Sequence, residues 1–241
     1  MTIQSNHCLI ANRRAVLAEI EAQRQSAAAQ QPVQLIAVSK TFPDEDIRIL
    51  AADGQRDFGE NYIQEFAAKS EALADLPIVW HIIGQIQSNK SRVVAERAQW
   101  VHTIDRPKIA QRLNEQRPDN LPPLQVCIEI NIGGEDNKHG IAPDEAELLA
   151  LAQAIEALPK LTLRGLMCVA KAGSNQTELN QQFLRMSELL RSLQAAGLKV
   201  DVLSMGMSAD MDTAIACGAT HVRVGSAIFG SRATANNKET K

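Results

Sequence analysis

Three short stretches carry residue types that could do chemistry together. The first, "QLIAVSK", is an apolar, branched run that leads into Ser39, Lys40 and Thr41. A buried strand has no use for a charged end, so Lys40 is either a surface lysine opening a loop or a reactive amine. In the second, "SMGMSADMDTAIACG", Ser204, Gly206 and Ser208 crowd the exit of an apolar run. Ser208 is in position to cap the helix pattern that follows, and Gly206 permits close approach of backbone to a ligand. In the third, "VRVGSAIFG", Gly225 and Ser226 follow Arg223. A glycine before a small hydroxyl residue at a strand exit offers backbone N–H groups to an anion. Either loop alone fits ordinary capping and turn chemistry. Both together, on one face with a lysine, suit a phosphorylated ligand. A lysine facing a phosphate site points to a Schiff base with a phosphorylated aldehyde, which needs the neutral amine. An aldolase-type lysine acting on a sugar phosphate is the alternative.

The elements that must position these residues alternate along the whole chain. After a long helical stretch (about Asn6 to Ala29), strands are expected in "QLIAVSK", "RDFGEN", "IVWHIIG", "WVHTID", "QVCIEINI", "LRGLMCVA", "VLSMGM" and "HVRVGSA". Helix patterns separate them. In "NQTELNQQFLRMSELLRSLQAAG", Leu179, Phe183, Met186, Leu190 and Leu193 fall at steps of four and three and make one apolar stripe. Asn175 with Glu178 reads as a capping box, and Gly197 as the stop. A second helix is expected in "APDEAELLALAQAIEALP", with Pro143 near its start and Pro159 ending it. Eight strand–helix units predict a single α/β domain, a (β/α)8 TIM barrel with an extra N-terminal helix. An open doubly wound sheet has the same alternation and is the competing architecture. No Gly/Ser/Pro-rich linker interrupts the pattern, so residues 1–232 read as one domain and 233–241 as a polar tail. In such barrels sites form at the C-terminal ends of the strands, which is where Lys40 and both glycine–serine loops fall.

Composition removes several function classes. The 241 residues carry a formal charge of -3, so no basic surface advertises nucleic acid. No apolar run reaches the roughly 20 residues that span a bilayer. The start lacks a basic segment followed by an apolar one, so no secretory signal is expected. Cys8, Cys127, Cys168 and Cys217 have no CxxC spacing and suit reduced thiols in a cytoplasmic protein. "GQIQSNKS" lacks the Walker spacing, and no GxGxxG, HExxH, zinc cluster or GxSxG elbow is present, so neither a metal nor a nicotinamide cofactor is expected.

Among phosphorylated aldehydes the obvious candidate is pyridoxal 5′-phosphate (PLP). At this point the motifs "AVSKT", "FGENYIQE", "WHIIGQIQSNK", "LRGLM", "LSMGMSADM" and "VRVGSAIFG" are decisive. In order and spacing, from about Ile36 to Arg232, the chain resembles the pyridoxal-phosphate homeostasis protein family. The resemblance implies a barrel like the N-terminal domain of alanine racemase, PLP held as a Schiff base, and a role in vitamin B6 homeostasis without established turnover. It implies Lys40 as the Schiff-base lysine, Ser208, Gly225 and Ser226 around the phosphate, and Arg223 facing the pyridine nitrogen. Asn61 and Met205 would line the ring. Thr often stands in the family where this chain has Ser226, and an acid where it has Ala209. The family also implies a monomer, with PLP-dependent apo-enzymes as potential recipients.

Arginine can only donate, so a ring nitrogen facing Arg223 stays an unprotonated acceptor and the ring a weaker electron sink. Alanine racemases share that arrangement but add an opposing tyrosine from a second domain. Here Tyr62 is the only tyrosine and sits just beyond strand two. Two-base racemisation would need His81 or another group instead; His81 itself is expected to be a strand histidine satisfied by backbone. Lys138, in a polar loop on the same face, is either solvated or able to capture an aldehyde transiently. Lys90 reads as a helix-start lysine that could add anion affinity. An amino-acid racemase or lyase remains the rival to a carrier.

Overall fold

A computed structural model describes residues 3–230 of the chain. The expected domain end at 232 and the tail 233–241 lie outside those residues. All eight expected strands form: β1 (Gln34–Val38), β2 (Asp57–Glu60), β3 (Val79–Ile82), β4 (Trp100–Ile104), β5 (Leu124–Ile130), β6 (Leu161–Cys168), β7 (Val202–Ser204) and β8 (His221–Val224). They pair in parallel and in sequence order, and the sheet closes into a barrel. Closure runs through β8 and β1, with Ile36 opposite Arg223 and Ala37 opposite Val224. The open-sheet alternative is therefore excluded.

Helices ring the barrel: α1 (Ile3–Ser26), α2 (Asp44–Ala52), α3 (Ile63–Ala72), α4 (Ser91–Arg97), α5 (Pro107–Gln116), α6 (Glu145–Glu156), α7 (Gln176–Ala195), α8 (Met211–Ala216) and the short α9 (Ser226–Phe229). In α7, Asn175 and Glu178 form the expected reciprocal capping box. Gly197 ends that helix at φ +90°, a conformation that only glycine adopts cheaply. Phe183, Met186, Leu190 and Leu193 are buried as the stripe requires, and Leu189 joins them. Pro143 stands just before the start of α6 as expected, and Asp144 caps the helix by accepting from the Glu147 N–H.

Successive strand residues face opposite ways. One set, including Ala37, Phe58, Val126, Leu163 and Leu203, packs with helix residues such as Leu50, Phe66, Leu113 and Phe183 in the main core. A separate small cluster of Cys127, Met167 and Val202, with Trp100 against it, lies on the alternate positions inside the barrel. The β5–β6 register slips by one residue between Val126 and Cys127. Gly165 sits at the slip and packs tightly on β7, where a Cβ would stand 2.0 Å from the Val202 carbonyl oxygen.

Candidate active site

Every strand delivers its C-terminal residue to one end of the barrel, and Lys40 follows β1 at that mouth. Ser39 is fully buried and its N–H extends the β1–β2 ladder to Gly59 O at 3.0 Å. A turn follows, closed by the Phe42 N–H on Ser39 O at 3.1 Å. Thr41 occupies its third position at φ +68°.

A cavity of about 500 Å³ opens at this end. Lys40, Asn61, Ser208, Arg223, Gly225 and Ser226 all line it. Six of the seven residues expected around a ligand thus share one wall system. Met205 does not. It is fully buried in the main core, and Met207 lines the cavity instead. The reason is the backbone at Gly206, whose φ of +95° breaks the strand alternation between the two methionines.

Arg223 is the most constrained member. Its side chain is buried and donates to Ser204 Oγ at 2.9 Å and to Cys168 O at 2.8 Å. Burial lowers its pKa, but guanidinium stays protonated in proteins. Gly225 packs closely on β1, since a Cβ there would lie 3.2 Å from Val38 O. Ser226 begins α9, in the first turn where backbone N–H groups have no helical acceptor. Ser208 lines the cavity from the β7–α8 turn but does not cap α8. Asp210 holds that position, and its carboxylate accepts from the Met207 N–H at 2.6 Å. Asn61 Oδ1 is buried with no protein partner, an acceptor left for a ligand. Gly84 lets the Asn61 backbone sit there, because a Cβ on residue 84 would stand 2.1 Å from Asn61 O. Phe42, stacked on Phe229 at 4.8 Å, forms another wall.

A second cavity of about 270 Å³ adjoins the first across Asn61, Ile83 and Val169. Lys138 and Glu129 line it. Lys138 is tied down rather than solvated: it pairs with Glu135 and donates to Ala170 O at 3.0 Å. Glu129 accepts from Gln85 Nε2 at 2.5 Å, and burial pushes its pKa up to about 7. Lys90 lines neither of these two cavities and precedes α4. Tyr62 is 55% exposed at the start of α3 and lies outside both linings.

His81 is not satisfied by backbone. Its Nδ1 meets His102 Nε2 and its Nε2 meets Asp57 Oδ1, both at 2.9 Å. With His221 and Trp100 it forms an aromatic floor inside the barrel. Burial holds His81 and His102 below the usual histidine range, against the pull of Asp57 on His81, and His221 down to about 4, which favours the neutral form of each. Among the described residues no group of three or more His, Cys, Asp and Glu could hold a metal ion, and no helix is long and apolar enough to cross a membrane.

Sequence reasoning missed Lys69, Glu60 and Glu65, which bond to the residues on either side of Lys40. The available signal was the four-residue spacing of Glu65 and Lys69, which ordinarily marks an exposed helix pair.

A closed parallel barrel with a lysine after β1 and two glycine–serine loops after β7 and β8 defines a barrel of the alanine racemase N-terminal type. The family model described as "Alanine racemase, N-terminal domain" matches residues 12–233. A Pseudomonas aeruginosa protein named pyridoxal phosphate homeostasis protein is 53% identical over 208 residues, 86% of this chain and 88% of the relative. The structure of PipY from Synechococcus elongatus with PLP bound superposes with a TM-score of 0.75 at 38% identity, covering 88% of this chain and all of PipY. A protein from Bifidobacterium adolescentis superposes with a TM-score of 0.87 at 30% identity, covering 95% of this chain and 97% of its own. The chain belongs to the pyridoxal phosphate homeostasis protein family.

Proposed function

We propose that this protein binds PLP in the cavity of about 500 Å³, held covalently through Lys40, and keeps intracellular PLP buffered or delivered without robust turnover. The carrying observation is that Lys40 shares one cavity with Ser208, Gly225, Ser226 and Arg223. The names of the relatives and the PLP bound to PipY support the same reading. When bound, PLP supplies a reactive aldehyde and an electron-withdrawing ring. The protein supplies everything else. Ser208 and Ser226 offer hydroxyl groups to the phosphate, and Gly225 keeps the backbone close to it. Arg223, fixed by two acceptors, meets the ring nitrogen as a donor and leaves it unprotonated. Asn61 turns its unpartnered Oδ1 to a ligand donor. Met207 takes the wall position assigned to Met205.

The residues around the cavity favour holding over turnover. Tyr62 does not line the cavity, and His81 lies on the floor with both ring nitrogens already partnered. In this proposal a single PLP-binding barrel, residues 1–232, works as a cytoplasmic monomer with residues 233–241 as a tail. PLP-dependent apo-enzymes are the recipients.

The test is the visible absorbance of purified protein and borohydride locking of the ligand, followed by peptide mapping. The lock is expected on Lys40 and absent from Lys40→Ala. A Lys40→Ala protein with an unchanged spectrum and lock would overturn the assignment. Steady racemisation of an amino acid, abolished by Lys40→Ala, would replace the carrier by an enzyme.

A further inference from the structure

Lys69 does not line the cavity, yet its ammonium is the hub of the bonds that hold the segment on either side of Lys40. Nζ donates to Ser39 O at 2.7 Å, to Glu60 Oε1 at 2.9 Å and to Glu65 Oε1 at 2.5 Å. An ammonium has three donors, and all three are used. Ser39 Oγ donates to the same Glu60 oxygen at 2.7 Å. The Thr41 N–H donates to the same Glu65 oxygen at 2.5 Å. The residues immediately before and after Lys40 are therefore tied to one buried cation.

What those ties hold is an unfavourable bend. Thr41 sits at φ +68° in the third position of the Ser39–Phe42 turn, where such turns take glycine or asparagine. A β-branched residue resists that region. Among the described residues Ala28 is the only other non-glycine with positive φ. Stability alone is a poor account of the hub. Desolvating Lys69 and Glu60, exposed by only 4% and 0%, offsets much of their attraction, and apolar residues could fill the same space. Apolar residues could not grip a carbonyl and an amide on either side of one lysine.

We propose that Lys69 is a positioning residue. Through Ser39 O, Glu60 and Glu65 it holds the left-handed bend at Thr41 and so fixes where Lys40 can reach in the cavity. The inference rests on the reading that Lys40 carries the ligand aldehyde.

The test uses the full chain. Lys69→Met is combined with Glu60→Gln so that no bare carboxylate is left buried. Glu65→Leu, at a site that is 24% exposed, removes the Thr41 acceptor more gently and serves if the double variant does not fold. Circular dichroism establishes folding. In the PLP-free protein, amide exchange at Thr41 and Phe42 is expected to quicken. PLP affinity is expected to fall on the order of tenfold in the double variant, the scale of one strained left-handed residue, and less in Glu65→Leu. Adding Thr41→Gly, which adopts positive φ without strain, is expected to restore most of that affinity. Folded variants that keep wild-type affinity and Thr41 protection would overturn the proposal, as would a loss that Thr41→Gly does not repair. Lys40→Ala separates the two readings. If it keeps a lockable ligand, the binding reading fails. If it loses the ligand while the Lys69 and Glu65 variants bind normally, only the positioning role fails.

Discussion

Replacing Glu129 by glutamine should stabilise the protein at alkaline pH and do little at acid pH. Glu129 lines the smaller cavity, where burial raises its pKa from 4.5 to about 7, Asp105 adds to the rise, and the Gln85 hydrogen bond opposes it. A carboxyl raised in the folded state contributes stability that is fully present below 4.5 and is lost as pH rises through 7. The separation is worth about 3 kcal/mol at most, and water in the cavity trims it. Glutamine mimics the protonated acid and escapes the cost at every pH. The stability advantage of Glu129→Gln should therefore grow between pH 5 and pH 8 by about 2.5 kcal/mol at most. Urea unfolding of both proteins at the two pH values reads this directly. The comparison must be differential, because the buried histidines push the wild-type curve the other way over the same range. A constant difference at both pH values would refute the claim that Glu129 is buried as an ionisable group with a raised pKa.

The histidine floor gives the opposite sign. His221 is held near 4 against an ordinary 6.5, so its contribution is present above 6.5 and lost as pH falls toward 4. Relative to wild type, His221→Asn should lose about 2 kcal/mol less stability between pH 7 and pH 5, measured by the same unfolding titration. Gly84→Ala should cost about 1–3 kcal/mol and weaken PLP binding more than its stability loss explains, since its Cβ would displace the Asn61 backbone from 2.1 Å. Thermal unfolding and PLP titration together check this, and unchanged affinity would free Asn61 from the site.

The barrel was legible because its signals are local. Eight apolar runs and the α7 stripe repeat at strand and helix periods, and each period survives in the fold. Lys40, Ser208, Arg223, Gly225 and Ser226 were legible because parallel strands bring all their C-terminal ends to one face. The errors share a different cause. Met205 and Met207 differ by two residues, and strand alternation assigns them one face; only the φ of Gly206 separates them. Ser208 looked like a helix cap until Asp210, two residues on, took the position. His81 found its partners on β2 and β4, a choice made by barrel closure. Glu65 and Lys69 carry the spacing of a surface pair, yet packing of α3 against the mouth buries Lys69 under Ser39.

Strand carbonyls at the mouth explain why the cations gather there. At the C-terminal rim of a parallel barrel, carbonyls beyond the last ladder bond lack a strand partner and need donors. Lys69 takes Ser39 O, Arg223 takes Cys168 O and Lys138 takes Ala170 O. Glu65 and Glu135 offset two of these cations. The acids that could offset the rest are weakened. Burial raises the pKa of Glu60, Glu129 and Asp210 alike, so each gives up part of its negative charge more readily than an exposed carboxyl. Arg223 therefore faces the cavity with less compensating charge than a count of acids suggests. The floor has the reverse character, since burial favours the neutral form of its histidines around Trp100. A barrel with a neutral floor and a cationic mouth attracts an anion to one end, and the amine that can bond an aldehyde stands at that same end.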